Sequence, residues 1–103
     1  MTKLRDLLNS RVLVADGAMG TMLQAQGDLD LERDFQGLEG CNEVLNLTRP
    51  DVVSAVHRAY LEAGSDCVET NTFGTNLAAL AEYGIVDRLA ELASAGARIA
   101  RAT

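Results

Sequence analysis

Three short segments of this sequence hold side chains that could do chemistry. Asp16-Gly17-Ala18-Met19-Gly20-Thr21 sets a carboxylate ahead of two glycines. The carboxylate can hold an ammonium group, and glycines admit backbone conformations closed to other residues. Consecutive free N–H groups there can form a nest for an anion. Together they could grip both ends of an α-amino acid, although Asp-Gly is also a common turn pair. Glu69-Thr70-Asn71-Thr72-Phe73-Gly74 puts three polar residues into a stretch that otherwise reads as a strand. Asn71 and Thr72 either meet a substrate or form a polar strand end, with Asn71 bonding its own turn. Gly40-Cys41-Asn42-Glu43 brings Asn42 and Glu43 close to a helix, where they could line a site.

Metal chemistry has less support. Cys41, His57 and Cys67 match no usual zinc-ligand spacing. Cys67 reads as a small buried strand residue and His57 as a partly exposed helix residue. The acidic run from Asp28 to Asp34 lacks the tight alternation and placed glycine of a calcium loop. It reads as a set of solvated charges. The two cysteines form no C-x-x-C pair, so reduced thiols are expected.

The elements that must position these segments follow from periodicity. Residues 3–8 suit a short helix with Leu4, Leu7 and Leu8 on one side. Val12-Leu13-Val14-Ala15 is a continuous apolar run, as in a strand buried on both faces. Residues 24–41 read as a long loop, or a loop with a short helix, punctuated by Gly27, Gly37 and Gly40. Thr48 and Asp51 can form a capping box around Pro50. Val52, Val53, Val56, Ala59, Tyr60 and Ala63 then form an apolar stripe, and Gly64 is a natural stop. Residues 66–73 read as a second strand, with Cys67, Glu69, Asn71 and Phe73 on one face. A short helix follows Gly74-Thr75-Asn76 and ends near Tyr83-Gly84. A last helix from about Asp87 carries an inner stripe of Leu89, Ala90, Ala93, Ala97 and Ala100.

Strand, helix, strand, helix is the order of βαβ units in a parallel α/β sheet. Two strands cannot make such a sheet with both faces covered. The 103 residues also end without a helix cap, so the sequence is expected to be part of a larger α/β fold. On its own the segment is expected to fold poorly and to be inactive. Net charge is −6 with no basic stripe, which argues against a nucleic-acid backbone as partner. No apolar run reaches the roughly 18 residues of a membrane span. Residues 1–8 lack the apolar core of a secretory signal, so a cytoplasmic location is expected.

At the three chemical segments a family resemblance becomes specific. Asp16-Gly17-Ala18-Met19-Gly20-Thr21-Met22-Leu23-Gln24 resembles the opening motif of homocysteine S-methyltransferases. Gly40-Cys41-Asn42-Glu43 with Leu47-Thr48-Arg49-Pro50-Asp51 resembles the cobalamin-dependent methionine synthase branch. So does Ala59-Tyr60-Leu61-Glu62-Ala63-Gly64-Ser65-Asp66 running into Glu69-Thr70-Asn71-Thr72-Phe73. The resemblance implies that residues 1–103 are a partial homocysteine-binding domain, the first βα units of a truncated (β/α)₈ TIM barrel. Such barrels take about 250 residues. It implies methyl transfer from methylcobalamin to homocysteine, giving methionine, with 5-methyltetrahydrofolate as methyl source. It implies a zinc ion on three cysteine thiolates that activates the homocysteine thiol, whose free pKa is about 8.5. Those cysteines are expected beyond Thr103, so neither zinc nor methylcobalamin is expected to bind this segment, and no catalytic residue is expected within it. By motif position, Asp16 would meet the substrate amino group, and the N–H groups of Gly17 and Ala18 its carboxylate. Asn71, Thr72 and, with weaker grounds, Glu43 would line the same site. The implied partners are homocysteine, the rest of the barrel, and the folate, cobalamin and activation domains. A cobalamin-independent relative using betaine or S-methylmethionine would share the Asp16-Gly17 grip. A non-catalytic binding module is the alternative from another class.

Overall fold

The structure, a computed structural model, describes residues 3–103; residues 1 and 2 of the opening segment lie outside it. Six helices make up the regular structure: α1 (Leu4–Ser10), α2 (Gly20–Gln24), α3 (Leu45–Thr48), α4 (Pro50–Glu62), α5 (Leu77–Glu82) and α6 (Leu89–Ala102). Single 3₁₀ turns at Asn42–Val44 and Val86–Arg88 lead into α3 and α6.

Helices α3, α4 and α6 pack on one another, and α2 lies against α4. Their shared core contains Leu23, Leu45, Val52, Val53 and Val56, with Met19, Met22, Leu29, Phe35, Tyr60 and Ile99 packed around it. The valines of α4 are buried as expected, but Ala59 and Ala63 are exposed, and His57 is fully buried rather than partly exposed. Positions 53, 56, 57 and 60 form one i, i+3, i+4, i+7 face, so the stripe that buries the valines also buries the imidazole. The stripe of α6 is likewise rotated. Leu92, Ala95 and Gly96 are buried, whereas Ala90 and Ala97 face outwards.

The start of α4 differs from the expected capping box. Thr48 ends α3, and Arg49 is the N-cap, without a side-chain cap. A residue before proline is driven out of the helical region, and Arg49 sits at φ −139°, ψ 60°. The helix therefore restarts at Pro50, one residue too late for Thr48 to cap it. The Thr48 hydroxyl instead donates to the Asp34 carbonyl, while Asp51 pairs with Arg49 at 3.1 Å. The other end of α4 matches the expectation. Gly64 has φ +115°, its N–H bonds the Leu61 carbonyl, and the Ser65 N–H bonds the Tyr60 carbonyl. This is a Schellman closure. Gly84, at φ +71°, closes α5 with the same two bonds from Gly84 and Ile85, and Asn76 caps its start by accepting the Ala79 N–H at 2.8 Å.

The two expected strands do not form as ladders. Among the described residues β pairing is a single parallel bridge between Ala15 and Cys67. The Cys67 N–H bonds the Val14 carbonyl at 3.4 Å and the Asp16 N–H bonds the Cys67 carbonyl at 3.1 Å. Arg11 grips Asp66 with two bonds of 3.0 and 2.6 Å, and Asp66 also accepts the Val14 N–H. The direction of the pairing is thus the expected parallel one, but the side chains are not enclosed. Val12 is 86% exposed and Phe73 fully so, and Cys67 is exposed rather than buried.

Residues 25–40 run as successive turns without a helix. Asp34, expected among solvated charges, is buried there. It accepts the Asp30 N–H at 2.9 Å and Arg33 Nη2 at 2.8 Å, with Arg49 3.5 Å away. The Arg33 hydrogen bond holds its carboxyl down at about 2.

Candidate functional site

The Ala15–Cys67 bridge delivers Asp16 to the point where both extended segments turn away. Its backbone N–H is bonded to the Cys67 carbonyl, and its Oδ1 accepts the Glu69 N–H at 3.1 Å. One oxygen of the carboxylate is thereby oriented by the neighbouring segment. The chain then passes over α4, where the Tyr60 hydroxyl donates to the Ala18 carbonyl at 2.7 Å.

Gly17 and Gly20 serve close approach here, not unusual dihedrals. No residue from Asp16 to Gly20 has a positive φ, so the loop is not the alternating-handed nest the glycines suggested. A Cβ on Gly17 would lie 3.3 Å from Tyr60 Oη, and one on Gly20 would lie 3.3 Å from Asn42 Nδ2. The N–H groups of Gly17 and Ala18 donate no hydrogen bond among the described residues. They remain available to an anion.

The opposite wall is built from the 70–76 turn, latched by Glu43. Glu43 is buried, and its carboxylate accepts the Gly74 N–H on Oε2 at 3.0 Å. A Cβ on Gly74 would stand 2.9 Å from Glu43 Oε1, so a larger residue there would push the carboxylate out of its present place. Asn71 is also buried and spends both amide hydrogens internally, on the Asn42 carbonyl (3.0 Å) and Asn46 Oδ1 (3.1 Å). Thr72 and Thr70 share a 2.6 Å hydroxyl hydrogen bond.

These walls enclose a cleft of about 320 Å³. Asp16, Gly17, Glu43, Asn71 and Thr72 all line it, joined by Met19, Gly20, Asn42, Glu69, Thr70 and Phe73. Of the site residues expected from sequence, Ala18 alone is not in the lining. Three carboxylates and no lysine or arginine face the cleft, which favours a cationic group within it. His57 lies within electrostatic reach of Asp16. Burial pushes the imidazole below its ordinary pKa, and the Asp16 charge pulls the other way. The residues sequence reasoning missed are Tyr60, as the loop's anchor, and Asn46. The signal for Asn46 was present: it is the lone amide in Val44-Leu45-Asn46-Leu47.

The donor set does not fit zinc. Among the described residues, no three His, Cys, Asp or Glu side chains gather where they could hold a metal ion. Cys41 is buried, with its thiol pushed up by desolvation, and Cys67 is exposed elsewhere. A cleft of this volume is at the small end for organic ligands.

Residues 13–103 match the family described as homocysteine S-methyltransferase. The chain belongs to this family. Among the curated relatives of this chain is a methionine synthase of Mycobacterium tuberculosis, strain H37Rv. It is 61% identical over 100 residues, which cover 97% of the chain and 8% of the relative. A methionine synthase of Mycobacterium leprae is 57% identical over the same coverage. The chain therefore spans about 8% of the length of the curated relatives it matches. No helix among the described residues is long and apolar enough to cross a membrane.

Proposed function

We propose that this chain is the amino-terminal part of the homocysteine-binding (β/α)₈ barrel of a cobalamin-dependent methionine synthase, and that its cleft orients homocysteine. The observation that carries the reading is the pairing of an oriented Asp16 carboxylate with the unbonded amides of Gly17 and Ala18. An α-amino acid presents an ammonium group and a carboxylate on one carbon. Asp16 holds the ammonium, and the two amides hold the carboxylate. Asn71 and Thr72 form the facing wall, and Glu43 keeps that wall in place through Gly74. The side chain of the substrate, with its sulfur, is then left to extend away from this grip.

The full-length reaction in this reading is methyl transfer from methylcobalamin to homocysteine, giving methionine, with 5-methyltetrahydrofolate as methyl source. Zinc and cobalamin are held by other parts of that protein, together with its folate, cobalamin and activation domains. The names of the mycobacterial relatives favour this over a betaine or S-methylmethionine donor. Both cysteines are free, in keeping with a reducing cytoplasmic setting.

The test is Asp16→Asn in the full-length enzyme. A charge-assisted hydrogen bond to the ammonium is lost, so the KM for homocysteine should rise by about tenfold or more. The KM for the folate donor should stay unchanged. An unaltered homocysteine KM would remove the cleft from substrate binding.

A further inference from the structure

Asn46 sits in an apolar run at the start of α3 and is 4% exposed. Burying a carboxamide is costly unless its hydrogen bonds are replaced. Here they are replaced on three sides. Nδ2 donates to the Asn71 carbonyl at 2.8 Å and to the Leu92 carbonyl at 3.4 Å, and Oδ1 accepts Asn71 Nδ2 at 3.1 Å. One side chain thereby ties α3, the wall of the cleft and α6.

The space around it is reserved. A Cβ on Gly96 of α6 would fall 3.0 Å from Asn46 Nδ2 and 2.7 Å from Thr72 Cγ2. Alanine would gain helix propensity at this position, so glycine here serves the close approach of α6 to the Asn46–Asn71–Thr72 unit. A leucine at 46 would fill the same volume without any polar group to satisfy. What it could not do is fix the Asn71 peptide by both its carbonyl and its side chain. Fully satisfied buried networks of this kind select one arrangement among several packed ones.

We propose that Asn46 is a positioning residue for the homocysteine cleft. It clamps the Asn71 peptide and so sets where Asn71 and Thr72 stand opposite Asp16. The proposal rests on the reading of the cleft as the homocysteine site. Asn46 touches no substrate itself, since it is absent from the cleft lining. Its effect must pass through Asn71.

The experiment uses the full-length enzyme with Asn46→Leu, Asn46→Ser, Asn71→Ala and the Asn46→Ser/Asn71→Ala pair. For both Asn46 variants the homocysteine KM should rise by about tenfold, with kcat held within about twofold. The double variant should cost less than the sum of the two single effects, because both changes break the shared Asn46–Asn71 side-chain bond, while the bond to the Asn71 carbonyl is lost only with Asn46. If Asn46→Leu does not fold, Asn46→Ser decides. A lowered melting midpoint with an unchanged KM would make Asn46 merely structural, and additive effects on KM would overturn the route through Asn71. Asp16→Asn is run alongside. If it raises KM while the Asn46 variants do not, this inference alone fails; if it leaves KM unchanged, the substrate reading fails and takes this inference with it.

Discussion

Two regions of this chain obey the same sequence patterns with opposite results. The block formed by α3, α4 and α6 is enclosed, with Val44, Leu45, Val53 and Leu92 at 0% exposure. The extended segment at 11–16 carries an equally apolar run at 12–15, yet Val12 and Val14 remain 86% and 54% exposed. A helix closes its hydrogen bonds within itself and needs a partner for one face only. A parallel strand needs neighbours on both edges and cover on both faces. The helices therefore form with what this chain contains, and the strands reach only the Ala15–Cys67 bridge. The cleft lies at the seam: Asp16 comes from the extended pair, while Glu43 comes from the turn that leads into the helical block.

The largest break in this contrast is Leu45→Ala. Leu45 is fully enclosed within the core cluster between α3 and α4. Removing its side chain leaves a cavity and should cost about 2–5 kcal/mol. Equilibrium urea unfolding would register this as a lower midpoint at unchanged slope. A loss below about 1 kcal/mol would mean that the helical block is not the stable part of the molecule.

Much of the helical block was legible in sequence because its signals are local. Gly64 and Gly84 mark the ends of α4 and α5, and Val52, Val53 and Val56 mark the buried face of α4. Failures arose where a neighbour decides. Thr48 lost its cap to the conformation Pro50 imposes on Arg49. Asp34 is buried by what packs over it, which periodicity does not encode, whereas His57 lies on the valine face of α4 and was misread because its side chain is polar. In the cleft, the convergence of Asp16, Gly17, Glu43, Asn71 and Thr72 followed from motif order, but their jobs did not. Glu43 and Asn71 turn out to hold the wall, and the glycines serve approach to Tyr60 and Asn42.

The two regions should also separate under pH. In the helical block, burial lowers the His57 pKa from 6.5. The unfolded chain then binds a proton that the folded chain resists, so stability from this group is complete above about pH 6.5 and is lost as pH falls below it. In the extended pair, the Arg11 hydrogen bonds hold Asp66 at about 2, down from 3.8. That contribution is complete above about pH 4 and lost only as pH falls through about 2. Amide exchange followed from pH 7 to 5 should show α4 loosening while the Val14 and Asp16 amides stay protected. His57→Leu should flatten the first dependence, and Asp66→Asn the second. Simultaneous loss of both regions at one pH would show that they unfold as a single unit.

The smallest effect sharpens the comparison most. Val12 is apolar and β-branched, like Val53, but 86% of its surface meets solvent. Val12→Thr exchanges a methyl for a hydroxyl at nearly constant shape, so any cost reports enclosure. At a solvent-facing site in the 103-residue chain the change should stay within about 0.5 kcal/mol. The same exchange at Val53 buries a hydroxyl without an assigned partner and should cost about 1–3 kcal/mol. In a full-length barrel the residue at 12 would lie in a strand flanked on both edges, and Val12→Thr should then approach the Val53 figure. Equal, small effects of Val12→Thr in the short and full-length chains would mean that residues 12–15 stay uncovered in both, and the barrel reading would lose its first strand.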